Sequence, residues 1–399
     1  MKHLAILAAL LTPLPALAET DPADWDAVTE AANGQTVYWN AWGGSTTTND
    51  FIAWVGSRVA EDYGVTLEHV KLSSTADAVT RVIAEKDAGE NDDGAIDMIW
   101  INGANFASMK EAELLFGPFA EQLPNWQLVD VDGKTVQTDF TVPVEGYESP
   151  WAMAQVVFVH DTADMPERLG NMAALQQWAA NNPGRFTYPQ PPDFLGTTFL
   201  KQVLVDILPD ASVLSQPVSE DTYEDVTAPL WAYLDELTPN LWRQGRAYPA
   251  TGTAQFQLIA DGEVDLAISF SPGAASTAIA NDELPPTVRT FVLDKGTIGN
   301  ASFVAIPYNS GSKEAAMVVA NFLMSPEAQV RAQDPEVLGY GTVLNMDALS
   351  ADDRAAFDAL ELGIATLSPA ELGTAQPEPH PSWMTRVADD WVERYGVAQ

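Results

Sequence analysis

Four places in this chain share one local grammar: Trp42-Gly-Gly-Ser45, Asn102-Gly-Ala-Asn105, Pro191-Pro-Asp193-Phe194-Leu-Gly196 and Ser269-Phe-Ser271-Pro-Gly273. Each is a glycine-containing, mostly polar turn that follows a short apolar run and leads into a helical pattern. The first is the most explicit. Thr36–Trp42 alternates as a strand does, with Val37 and Trp39 on one face. Gly43 and Gly44 then let the main chain turn sharply and approach a ligand closely. The hydroxyl-rich Ser45–Asp50 offers N-caps to a helix whose apolar face carries Phe51, Ile52, Val55 and Val59. Ala95–Ile101 is apolar almost throughout, the mark of a strand covered on both faces. Strands alternating with helices specify a mainly parallel α/β sheet. Each half holds too few such units to close a barrel. In open α/β sheets ligands lie beyond the carboxyl ends of the strands. Two sheets facing each other, one before about residue 148 and one after, bring all four turns to one cleft. Any one turn alone is an ordinary βα connection; their recurrence in both halves carries the reading.

The N-terminus gives an address. Met1-Lys-His precedes a short apolar run to Leu11, and Ala16-Leu17-Ala18 reads as a cleavage site, so residues 1–18 form a secretory leader. Its apolar run is too short to span a bilayer. The 381 of 399 residues that remain suit two domains. There is no Cys, which excludes disulfides, thiolate metal sites and a lipid anchor on a cleavage-site Cys. His69, His160 and His380 are too scattered for a zinc cluster. After cleavage, 18 basic face 56 acidic side chains, a balance of −38 that disfavours nucleic acid and anionic membrane. The expected location is the periplasm, as a monomer without cofactor or metal.

The second unit opens at Ser149–Val159, a long apolar strand placing Trp151 and Gln155 on one face. Helices near 193–207 and 251–260, strands near 262–270, 287–293 and 300–307, and a helical last third complete the chain. The cleft candidates are aromatic (Trp42, Phe106, Trp151, Phe194) and polar (Asn102, Asn105, Gln155, Ser271, Asn300), joined by the backbone at Gly43, Gly44 and Ser45. Asp193 is the one carboxylate at a turn, and is equally a plain helix N-cap. Aromatic faces beside an acid suit a cation or flat ring, and beside amides a sugar. Backbone N–H groups at the glycine turn suit a phosphate or carboxylate. The composition does not choose among these. No Gly-x-Ser-x-Gly elbow, His-Glu-x-x-His helix or Walker loop is present. Twelve Trp and abundant acids keep a secreted carbohydrate-active protein as the rival class, with a ligand-free scaffold behind it.

Asn300–Gln329, with its strand, its Lys/Ala helix and Ser325-Pro-Glu-Ala-Gln329, resembles bacterial extracellular solute-binding proteins. More narrowly, Thr36–Gly44, Asp97-Met-Ile-Trp-Ile-Asn-Gly103, Leu115-Phe-Gly-Pro-Phe119 and Leu338-Gly-Tyr-Gly-Thr342 resemble the YnjB-type binding proteins of ABC importers. The likeness spans most of the mature chain. It implies a two-lobed periplasmic-binding-protein fold of the type with two or more hinge crossings, each lobe a mixed, mainly parallel sheet flanked by helices. It implies a non-enzymatic receptor working with a permease and an ATPase encoded elsewhere. That family carries a thiamine-transport label; Ser45-Thr-Thr-Thr48 departs from the charged residues of relatives and leaves the ligand open. The expected division is lobe one at 19–148 plus about 302–345, lobe two at 149–301, and C-terminal helices, 346–399, belonging to either lobe.

Overall fold

A computed structural model describes residues 20–397. The leader assigned to 1–18 lies outside them. The first sheet holds β1 (Thr36–Trp42), β2 (Thr66–Leu72) and β3 (Met98–Ile101); β4 (Thr138–Asp139) and β5 (Val142–Pro143) form a small separate hairpin. β6 (Glu148–Gln155) and β7 (Val157–Asp161) follow, then β8 (Leu266–Ser269), β9 (Val288–Phe291) and β10 (Gly299–Ala305). The large sheet runs β2-β1-β3-β10-β6, with β1, β2 and β3 parallel and β10 antiparallel to both β3 and β6. The second sheet runs β8-β7-β9, antiparallel throughout, so the expected mainly parallel sheet is absent from lobe two, and the two antiparallel pairings of β10, with β3 and β6, make the first sheet evenly mixed rather than mainly parallel. Phe186 adds a parallel bridge to Leu266.

Helices cover both sheets. Lobe one carries α1 (Trp25–Ala32), α2 (Thr46–Tyr63), α3 (Thr75–Ala88) and α4 (Ala104–Glu111). Lobe two carries α5 (Met172–Asn181), α6 (Phe194–Ile207), α7 (Tyr223–Leu237), α8 (Gly252–Ala260) and α9 (Ala274–Ala280). The chain then returns through α10 (Lys313–Leu323), α11 (Pro326–Gln333) and α12 (Ala351–Asp358), and ends with α13 (Pro369–Leu372) and α14 (Pro381–Tyr395). The local chemistry explains the bounds. Ser45 caps α2 by accepting from Thr48 N, and Gly64, at φ +68°, ends it in the left-handed conformation that glycine adopts without cost. Each sheet is packed on both faces. In lobe one, Val37, Trp39 and Ala41 of β1 meet α2 and α10 on one side. Ile99 and Ile101 of β3 meet α3 and α4 on the other. In lobe two, Phe158 of β7 faces one core, and its neighbours Val157 and Val159 face the opposite one. That alternation is the period-two signature of a strand between two layers.

The crossing between lobes lies at different residues from those expected. Ser149–Val159 reads as one strand opening a second domain. In the structure it breaks at Val156: β6 belongs to the lobe-one sheet and β7 to lobe two. β10 likewise lies in the lobe-one sheet, so the return crossing precedes Gly299 rather than following Ala301. The two crossings are tied by Val156 N donating to Ile298 O at 2.8 Å. The C-terminal region is divided between the lobes. Phe357 of α12 packs in lobe one, Ala365 packs in lobe two, and Trp383, Val387 and Trp391 of α14 fill the lobe-two core. A third crossing therefore lies between α12 and Ala365.

Candidate ligand cleft

The topology fixes which sheet edges face the junction. β1 and β3 are parallel, so Trp42 and Asn102 leave the sheet at one edge. β10 enters at that edge, and Asn102 Nδ2 donates to Ala301 O at 2.7 Å. β6 leaves there too, since Gln155 pairs with Gly299. In lobe two, Ser269 ends β8 opposite Val157, the first residue of β7. The strand-like stretch through Phe186 runs parallel to β8, so Tyr188–Asp193 points the same way. The four turns thus lie on the two sheet edges that meet at the hinge, around Val156 and Ile298.

Several candidates keep exposed or partly exposed surface there. Trp42 is 37 % exposed, with its indole folded back over Gly44. Phe194 is 38 % exposed and stands edge-on to Phe270 at 5.3 Å between centroids. Asn102, Asn105 and Ser271 are half-buried. Gly43 N donates to Leu72 O, and Ser45 caps α2, so the backbone of this turn is partly committed to the fold. Asp193 is the N-cap of α6, accepting from Leu195 N at 2.9 Å and Gly196 N at 3.2 Å; burial raises its carboxyl pKa against those bonds.

Two of the aromatic candidates lie inside the protein. Phe106 is fully buried beside Ile99, Ile101 and Met109, because the third residue of α4 faces the sheet rather than the cleft. Trp151 is 1 % exposed; it stacks on Phe51 at 5.9 Å and meets Trp39, Trp100 and Tyr340. Its face of β6 is the one covered by α2 and α10. Gln155 and Asn300 are buried at the hinge and spend their amides there. Gln155 Nε2 donates to Thr297 Oγ1 and Leu372 O, both at 3.2 Å, and Asn300 Nδ2 donates to Glu378 Oε1 at 3.1 Å.

Asn300 leads to a buried polar cluster at the junction that the sequence pattern does not announce. Lys201 of α6 is wholly buried, and its Nζ donates to Glu378 Oε2 at 2.7 Å. Burial opposes both charges, lowering the lysine pKa and raising that of the glutamate, while their mutual attraction works the other way. Asp139 of β4 is also wholly buried. It accepts from Gly103 N at 2.5 Å and from Asn102 Nδ2 at 3.4 Å. Burial nevertheless pushes its carboxyl up to about 7. Lys201 Nζ lies 4.4 Å from the Phe140 ring centroid and 5.4 Å from that of Phe194. This cluster takes residues from both lobes and from the C-terminal segment. The sequence signal for it was faint: a lysine one residue after Leu200 inside an apolar helix, and a glutamate between two prolines. Among the described residues no group of three or more His, Cys, Asp or Glu is placed to hold a metal ion.

Residues 56–353 match the family of bacterial extracellular solute-binding proteins. The chain belongs to that family. This solute-binding protein is 41 % identical over 397 residues to protein YnjB of Escherichia coli (strain K12), covering all of both chains. Solved structures share its fold at low identity. The periplasmic binding protein AfuA of Actinobacillus pleuropneumoniae, described with exogenous fructose-6-phosphate bound, superposes with a TM-score of 0.62 at 14 % identity, over 91 % of this chain and 99 % of that one. The spermidine/putrescine ABC transporter substrate-binding protein PotD of Streptococcus pneumoniae gives 0.60 at 16 % identity, over 90 % and 98 %. The two-lobed α/β architecture, with a mixed sheet in lobe one, an antiparallel sheet in lobe two and no closed barrel among the described residues, is therefore that of periplasmic binding proteins. No described helix is long and apolar enough to cross a membrane.

Proposed function

We propose that the chain is the receptor of an ABC importer, capturing a small solute between its lobes and delivering it to a permease and an ATPase encoded elsewhere. One observation carries the reading beyond family membership. Strand ends from both sheets converge at one hinge-facing junction, and they bring half-open aromatic rings and half-buried polar side chains with them. Such a junction binds by closure, and closure is driven only by the difference in ligand affinity between open and closed forms. The leader read in residues 1–18 supports a periplasmic location for this receptor. No step of chemistry is assigned to it. The lining set is Trp42, Gly43, Gly44, Ser45, Asn102, Asn105, Phe194, Ser271 and the carboxyl of Asp193. Gln155 and Asn300 shape the hinge beside it. Aromatic faces next to carboxyl groups favour a solute that joins a flat ring to positive charge, thiamine or a related compound, phosphorylated forms included.

The test is native mass spectrometry of protein taken gently from the periplasm, then a melting scan against thiamine, its phosphates, sugars, polyamines and amino acids. A ligand at about 100 times its dissociation constant adds about 2.7 kcal/mol, a rise of a few degrees at this size. A bound thiamine compound, or a shift with that class alone, supports the reading. A shift with sugars only moves the ligand to the carbohydrate class. No adduct and no shift removes thiamine from consideration.

A further inference from the structure

The hairpin β4–β5 closes with only two residues, Phe140 and Thr141, because Asp139 pairs with Val142. Both carry positive φ, +45° and +76°. Turns of this kind favour Asn-Gly, since left-handed backbone crowds a side chain. A bulky aromatic followed by a β-branched residue is an outlier there. Such strain persists only where the surroundings enforce it. The enforcement is visible. Asp139 is pinned by Gly103 N and Asn102 Nδ2 at the end of β3. Gly103 has no side chain to obstruct the ring, for a Cβ there would stand 2.9 Å from Phe140 Cε2. The Phe140 ring, 2 % exposed, then comes to rest over the ammonium of Lys201, in the other lobe. Lys201 is paired with Glu378 and is also faced by Phe194.

We propose that the Asp139–Val142 turn is a finger of lobe one that closes on Lys201 of lobe two, making Phe140 and Lys201 the contact pair that sets how much of the ligand-free receptor stays shut. The inference rests on the receptor reading, but the contact itself needs no solute. Lys201 is held on the lobe-two side by α6, and Glu378 by a C-terminal segment anchored on that lobe through His380 N to Leu214 O at 2.7 Å, with a second bond to Asn300 of β10 beside the hinge. Their pairing therefore survives opening. What opening removes is the Phe140 ring, and it returns water to the ammonium. A cation over an aromatic face gains most when it is desolvated. Closure creates that condition, so the contact favours the shut form and weakens as the lobes part.

The chain has no native Cys, so two can be introduced as sole labels: Ser57→Cys on α2 and Asp225→Cys on α7, both exposed. Electron–electron distance measurement on the spin-labelled, solute-free full chain then reads the lobe separation directly. The wild-type background gives a dominant short distance. Phe140→Leu keeps apolar bulk and removes the ring, and Lys201→Met keeps the stem and removes the charge. Each raises the long-to-short ratio by about 5- to 30-fold, as loss of a desolvated cation–π contact requires. The double variant shifts no further than either single one. Phe140→Tyr, which keeps the ring, retains the short distance. Unchanged distributions in the folded single variants overturn the proposal, as does a shift in only one of them. If Lys201→Met does not fold, Phe140→Leu decides alone. A dominant long distance in the wild-type background also overturns it, while leaving a positive melting scan, and so the receptor reading, intact.

Discussion

Asp139→Asn tests the electrostatics of the junction without disturbing its shape. The native carboxyl is wholly buried, and burial moves its pKa from the ordinary 3.8 to about 7. Between those values the folded chain keeps a proton that the unfolded chain has released. Stability from this group is therefore fully present below about pH 4 and is lost as pH rises through the window to about 7. Each pH unit inside the window is worth about 1.4 kcal/mol. From pH 5 to pH 8 the native side chain should thus lose about 2–3 kcal/mol. Asparagine keeps a carbonyl oxygen for the Gly103 N–H and cannot ionise, so it is spared this loss. Glu148 and Lys201 feel the Asp139 charge and so titrate differently beside asparagine, while the acids away from the junction cancel in the difference. Urea unfolding of both proteins at pH 5 and pH 8 gives the four free energies needed. The stability of Asp139→Asn relative to wild type should be higher at pH 8 than at pH 5 by about 2–3 kcal/mol. Parallel pH profiles would refute the argument, because they would mean that Asp139 ionises inside the fold as easily as outside it.

Three further outcomes follow from the packing. Trp391→Ala removes a fully buried indole that donates to Tyr188 Oη at 3.1 Å and sits edge-on to Tyr248 at 5.0 Å; a loss of about 3–5 kcal/mol in urea unfolding is expected, and a small loss would show that α14 is peripheral to lobe two. Gly273→Ala places a Cβ 2.5 Å from Gly339 Cα, where lobe two meets the turn at 335–341 beside the hinge; overpacking of about 1–3 kcal/mol in a melting scan is expected, and an unchanged melting point would mean that this contact yields freely. Trp42→Ala leaves the fold intact and weakens calorimetric affinity for whichever solute raises the melting point by about 1–3 kcal/mol; equal affinity would remove Trp42 from the site.

What the sequence made legible and what it hid divide along a physical line. Backbone-determined features read well: strand–turn–helix junctions announce themselves through glycines, hydroxyl caps and apolar periodicity, so the four turns and the edges they occupy follow from local pattern. Side-chain destinations across sequence distance do not. Alternation along β6 places Trp151 on one face, but only the packing of α2 and α10 shows that this face is interior. The same limit displaced the hinge, because an apolar run gives no sign of the break at Val156 that sends its halves into different sheets. The cluster of Asp139, Lys201 and Glu378 joins residues separated by up to 239 positions (139 to 378), from a weakly patterned stretch, an apolar helix and a proline-flanked turn. A charged residue in such settings reads as surface, since burying it without a partner is costly. The fold supplies the partner from elsewhere in the chain. That is also why the cluster is informative: an ion pair with an added carboxyl, buried where two lobes meet, brings no clear gain in stability over apolar packing, so its presence at the moving junction argues for a role in how the lobes meet rather than in how each one folds.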